Sequence, residues 1–184
     1  MAAENIGTLM DPASDRAKRG AFFFPMLFTG IISAAWFLAR FLWGGTEVPK
    51  TVDFGIGVAL TVLMLLSIGL MSGARSKLMR GEDAAALGRL AALLGIALLM
   101  IAGIIATWWA VPIGTGYGGI YDITSGWILL YFVGGVLALL ASLMKGKRVP
   151  ARFSSERWVA HNVLSFWGEL VFLWTVFFIV FYLA

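Results

Sequence analysis

Five apolar runs, each long enough to cross a bilayer, constrain this chain more than anything else in it. A helix needs about 20 predominantly apolar residues to span a hydrocarbon core of roughly 30 Å, and the runs fall at 21–43, 54–73, 85–111, 126–144 and 158–183. Inside hydrocarbon the backbone must satisfy its own polar groups, so only helices and closed barrels can cross. Barrel strands are nearer ten residues with strict alternation, and "LTVLMLLSIGLM" does not alternate. The sequence therefore predicts an all-α polytopic membrane protein, one five-helix transmembrane bundle over 1–184 with a short polar tail at 1–20. With 60% hydrophobic and 13% charged residues, against about a quarter charged in soluble domains, little remains for a separate soluble domain. The tail is mixed in charge and the run after it is too long for a leader's apolar segment, so no cleaved signal peptide is expected.

Lys and Arg are distributed unevenly between the two ends of the bundle. Arg16, Lys18 and Arg19 precede the first span; Arg75, Lys77 and Arg80 follow the second, with Arg89 just inside the third; Lys145, Lys147, Arg148, Arg152 and Arg157 lie between the fourth and fifth. The opposite end holds Arg40 and Lys50, and "PIGTGYGGIYDITS" holds no base. The positive-inside rule then places the N-terminus in the cytoplasm and the C-terminus outside. This pattern also accounts for the net charge of +4 without nucleic-acid binding. Trp36, Trp43, Trp108, Trp109 and Tyr182 fall toward the outer ends and Trp158 toward an inner one, as an interfacial belt would place them. Pro25 is expected in about the first turn of the first span, and Pro112 at the end of the third. Gly55, Gly57, Gly95, Gly103, Gly134 and Gly135 are expected to form flat patches for helix packing.

The chemistry available is sparse. There is no cysteine and only one histidine, His161. Disulfides, thiolate metal sites and covalently attached c-type haem are excluded, and a lone His builds neither a haem nor a metal site by itself. No Gly-rich stretch carries a P-loop lysine, and no spacing arranges a Ser/His/Asp system around His161. The chain does not read as an enzyme. One group stands out: Glu169, alone in "FWGELVFLW" and eleven residues beyond Trp158, about 16 Å into the last span. An ionised group at that depth costs from about 3 to over 10 kcal/mol, so Glu169 should face protein or water. His161 is about 12 Å away along the axis, and Arg40 lies nearer the outer surface. Glu169 is thus expected either to hydrogen-bond a neighbouring hydroxyl or carbonyl as packing glue, or to handle protons or contact a partner.

The last span and its approach, "ERWVAHNVLSFWGELVFLWTVFFIVFYL", resemble the final helix of subunit III of the haem-copper respiratory oxidases. That family's pattern is an Arg at the helix start, then W-H-F-x-D, a further Trp and a terminal aromatic run; Arg157, Trp167, Trp174 and Tyr182-Leu183 fall on matching positions. "TSGWILLYF" resembles the family's S/T-G-aromatic stretch through Ser125, Gly126, Trp127, Tyr131 and Phe132. The five-helix count and orientation are similar to the shorter bacterial members. There are departures: Gly168 stands for the family's His, Val171 for its Asp, "FVGGVLALL" for its His-rich stretch, and Ile105 near its buried Glu. Glu169 lies two residues before the Asp position, about 200° around the helix.

The resemblance implies a divergent, non-catalytic accessory subunit of a membrane haem-copper terminal oxidase in aerobic electron transport, in a bacterial inner (plasma) membrane. It implies the core catalytic subunit as partner, haem and copper there and none in this chain, and phospholipid bound at the interface. Glu169, His161, Arg157, Trp167 and Trp174 are the candidate partner-contact, lipid-contact or intramembrane polar residues. A structural or assembly subunit of another respiratory or photosynthetic complex, nitric oxide reductase included, is the alternative. A small transporter would call for inverted repeats, broken helices or several midplane polar groups.

Overall fold

The computed structural model describes residues 12–45, 47–111 and 114–184, the side chains of 12–19 and 21–24 excepted. The elements, all helical among these residues, are α1 (Pro12–Trp43), α2 (Phe54–Met79), α3 (Asp83–Trp108), α4 (Gly116–Arg148), a short α5 (Pro150–Ser155) and α6 (Arg157–Phe178), which runs on into a wider π-helical turn at Ile179–Leu183. α1, α2, α3, α4 and α6 are long and apolar enough to cross a membrane. The protein is a multi-pass all-α bundle.

Local chemistry sets several boundaries. The Asp53 carboxylate accepts from the Ile56 amide at 3.0 Å and starts α2. Thr115 does the same for α4, accepting from Gly118 at 2.9 Å. Between α2 and α3 the chain turns at Gly81, whose φ of +77° only glycine adopts without strain.

α2 packs on α3, α3 on α4, α6 on α1, α2 and α4, and α1 on α4 as well. α6 is the centre: more than half of its spanning window is buried, against a third or less in each other span. The remaining helices turn broad apolar faces outward, as a bundle in lipid can.

Hydrogen bonds from indole to hydroxyl join the spans. The Trp167 Nε1 donates to Ser67 Oγ at 2.8 Å and the Trp174 Nε1 to Thr61 Oγ1 at 3.0 Å, pinning α6 to α2. The Trp108 Nε1 donates to Ser125 on α4 at 2.7 Å, and the Trp127 Nε1 to Ser33 on α1 at 3.3 Å. Close approach does the rest where side chains are small: Gly103 faces Leu60, and Gly57 lies under the ring of Tyr182, where a methyl group would collide with each.

Several expectations need correction. α2 runs to Met79, so Arg75 and Lys77 lie on its last turns rather than in a link. α4 begins ten residues before the expected 126, because Tyr117, Ile120, Tyr121, Thr124, Ser125 and Ile128 recur at helical spacing and are buried. Short polar and glycine residues had disguised that stripe as a loop. Pro25 lies well inside α1, not in its first turn, and the Thr29 hydroxyl donates to its carbonyl at 2.8 Å. Pro112 and the side chains of Arg16, Lys18 and Arg19 lie outside the described residues. Tyr182 points into the bundle, whereas Trp109 is 90% exposed. Gly57, Gly103 and Gly135 meet a neighbouring helix, but Gly95 and Gly134 have nothing within 4 Å and Gly55 meets only Asp53.

Ser67→Ala is expected to lower stability by about 1–2 kcal/mol, since it leaves a buried indole N–H without an acceptor. Thr61→Ala, at a half-buried position, should cost less. Denaturant unfolding in detergent, followed by tryptophan fluorescence, measures both.

Candidate functional site

Glu169 lies on α6 two residues beyond Trp167, about 200° around the helix, so the indoles face α2 while the carboxyl turns toward α1. There it lines an open groove of about 420 Å³ whose walls are Met26, Gly30, Ile31 and Ala34 of α1 and Phe172 and Leu173 of α6. Both carboxyl oxygens are buried, and neither has a hydrogen-bond partner among the described residues. A buried polar group left in that state costs about 1–3 kcal/mol. Among the described residues its neighbours in the groove are apolar or small, and none of them completes it.

The other expected residues lie elsewhere. His161 is two turns before Glu169 on the same helix, half-buried, with its carbonyl accepting from the Ser165 hydroxyl at 3.1 Å. Ser165 in turn accepts from Arg75 of α2 at 3.3 Å. Arg157 closes the basic end: its guanidinium grips Asp83 of α3 through Nε at 2.8 Å and Nη2 at 3.1 Å, and the Ser154 hydroxyl donates to the same carboxylate at 2.5 Å. Trp167 and Trp174 are wholly buried against α2. Of the five, Arg157, Trp167 and Trp174 hold α6 to α3 and α2, and the five form no single pocket. Among the described residues no three of His, Asp or Glu gather as metal ligands.

A second polar cluster escaped the sequence reading. Arg40, near the end of α1, is 0% exposed. Its guanidinium lies 4.5 Å over the ring of Tyr117 and 5.9 Å from that of Phe181, and donates to the carbonyls of Gly45 and Glu47. Around it Tyr117 donates to the Phe181 carbonyl at 2.5 Å, and Tyr121 lies 2.6 Å from the Tyr182 hydroxyl and 2.9 Å from Thr107. No carboxylate among the described residues pairs with Arg40. Aromatic faces and carbonyls carry its charge, and the effect is to tie the α1–α2 link to α4 and α6. Arg40 is therefore committed at the far end of the bundle and does not fold inward to Glu169. The available signal was the i, i+4 pairs Tyr117–Tyr121 and Phe177–Phe181, hidden while 116–125 read as a link. Asp122 was hidden with them: it lies inside α4, one carboxyl oxygen buried without a partner among the described residues.

The basic end is held by charge. Besides Arg157 and Asp83, Lys77 pairs with Glu82, and Glu156 pairs with Lys145 and, at 3.0 Å, with Arg152. Lys145 and Arg152 hold the Glu156 carboxyl below the usual glutamate range, and Lys77 does the same to Glu82.

No protein-family model matches the chain, and no curated protein matches it.

Because the Glu156 carboxyl titrates lower when folded than when unfolded, its contribution is fully present above the ordinary value of 4.5 and is lost as pH falls through the lowered one. Hydrogen-exchange protection of 150–156 is expected to stay flat from pH 7 to 4.5 and to fall below it. Glu156→Gln should lower protection at neutral pH and remove most of that acid-dependent loss.

Proposed function

We propose that this chain is a non-catalytic accessory subunit, similar to subunit III, of a haem-copper terminal oxidase in a bacterial plasma membrane. The observation that carries the reading is the pattern of the last span, with Arg157, Trp167, Trp174 and Tyr182-Leu183 in register and Ser125, Gly126 and Trp127 opening a second match. In this bundle those positions do architectural work: Arg157 fastens α6 to α3, the two indoles fasten it to α2, and Ser125 accepts from Trp108. A resemblance concentrated at bundle-holding positions is what a shared scaffold would retain. The departures at Gly168, Val171 and Ile105 remove the family's polar groups, which fits a divergent member that stabilises its partner rather than feeding it protons.

On this reading the N-terminus is cytoplasmic, the core catalytic subunit holds the haem and copper, and the broad apolar faces meet that subunit and interfacial phospholipid. Glu169 then contributes a hydrogen bond within the assembled complex.

The test is isolation of the intact complex, in a mild detergent, through a tag on this chain. Haem-copper subunits and their absorption bands are expected to co-purify; a complex with no haem-copper core would overturn the reading in favour of a structural subunit of another assembly. In the same complex Glu169→Gln should leave assembly and turnover near wild type, and Glu169→Leu should weaken assembly. Slowed turnover in a fully assembled Glu169→Gln complex would instead give Glu169 a part in proton movement.

A further inference from the structure

Glu169 combines three properties not found together elsewhere among the described residues: mid-helix depth, two buried carboxyl oxygens without a partner, and a place in the wall of an open groove. It lies twelve residues beyond Arg157 and fourteen before Leu183, so about 18 Å of helix separates it from the basic end and more from the other. Lipid headgroups do not reach that depth, and acyl tails carry no donor. Another protein segment crossing the membrane can bring a hydrogen-bond donor there.

The groove has the shape for such a segment. Gly30 and Ala34, one turn apart on α1, leave its floor low, and a methyl group added at Gly30 would meet nothing within 4 Å. Small residues at this spacing let a helix backbone approach closely. Ile31 and Phe172 stand beside it with 62% and 64% of their surface exposed, offering apolar flanks. Other outward faces, such as those bearing Leu65 and Leu66 on α2 or Leu98 and Leu99 on α3, present large exposed apolar side chains and suit lipid.

We propose that the groove between α1 and α6 is the docking surface for a transmembrane helix of a different subunit, which seats a basic, amide or hydroxyl side chain on Glu169. The complementarity is chemical: the groove presents two carboxyl oxygens, and among the described residues nothing in it pairs with them. A second copy of this chain would set carboxyl against carboxyl at that depth, which holds only while at least one of them is protonated. The proposal rests on the reading of the chain as a subunit of a larger complex and names the face it uses.

A photoreactive benzoylphenylalanine placed at Phe172 or at Ile31 in the full-length chain, irradiated in native membranes, tests this. Both positions are expected to cross-link to a different polypeptide, within a membrane helix carrying Lys, Arg, Asn, Gln, Ser or Thr less than one turn from the linked residue. The same probe at Leu66 or Leu99 should give lipid adducts. Glu169→Leu should cut the protein cross-link about tenfold, whereas Glu169→Gln, which keeps an acceptor of the same size, should retain at least about a third of it. Cross-links from the groove to lipid alone or to a second copy of this chain would overturn the proposal, as would an undiminished yield with Glu169→Leu. The two readings fail separately. A cross-linked helix from a complex without haem and copper sinks the assignment to an oxidase and leaves the docking surface standing. A haem-copper subunit that co-purifies while the groove meets only lipid does the reverse.

Discussion

In hydrocarbon a polar hydrogen without a partner has no water to turn to, and the indole N–H of a buried tryptophan meets that constraint at its sharpest. This bundle meets it at two buried indoles, Trp167 and Trp174, and two half-buried ones, Trp108 and Trp127, each time with a serine or threonine hydroxyl from a neighbouring helix. Lipid tails are as apolar as leucine, so burial does little to press helices together in a membrane. Close packing and a few well-placed hydrogen bonds must hold them. α6 carries two of the four indoles and has the most buried span, which makes it the helix on which the others' positions depend.

The two ends of the bundle are closed by different physics. At the basic end Arg157, Lys145 and Lys77 face Asp83, Glu156 and Glu82 through ion pairs open to solvent ions. At the other end Arg40 has no acid partner among the described residues, and rests on tyrosine and phenylalanine rings and on backbone carbonyls. The first arrangement is sensitive to salt and acid, the second much less so.

Fold class was legible because apolar length is a direct physical requirement of the bilayer, read residue by residue. The start of α4 was not, since Gly116, Gly118 and Gly119 speak for a loop in any local reading, while the stripe from Tyr117 to Ile128 needs a tertiary surface to acquire meaning. Arg40 was legible as a cation near the membrane edge, but its acceptors lie in a loop and on two other helices, and no spacing along one segment announces them. Glu169 was legible as an anomaly of depth. Its direction toward α1 follows only once Trp167 and Trp174 are known to face α2.

The central place of α6 bears on the order in which the bundle can be made. Thr61 and Trp174 are 113 positions apart, so at about 5–20 residues per second the indole reaches the ribosome's exit roughly 6 to 20 s after its acceptor does. Through that interval α2 is not left with idle hydroxyls, because Thr61 and Ser67 already donate to the carbonyls of Gly57 and Met64 within their own helix. Their free lone pairs are what the later tryptophans find. The first four spans are in effect an unfinished mould, and the helix that sets their final positions is the one the chain delivers after them.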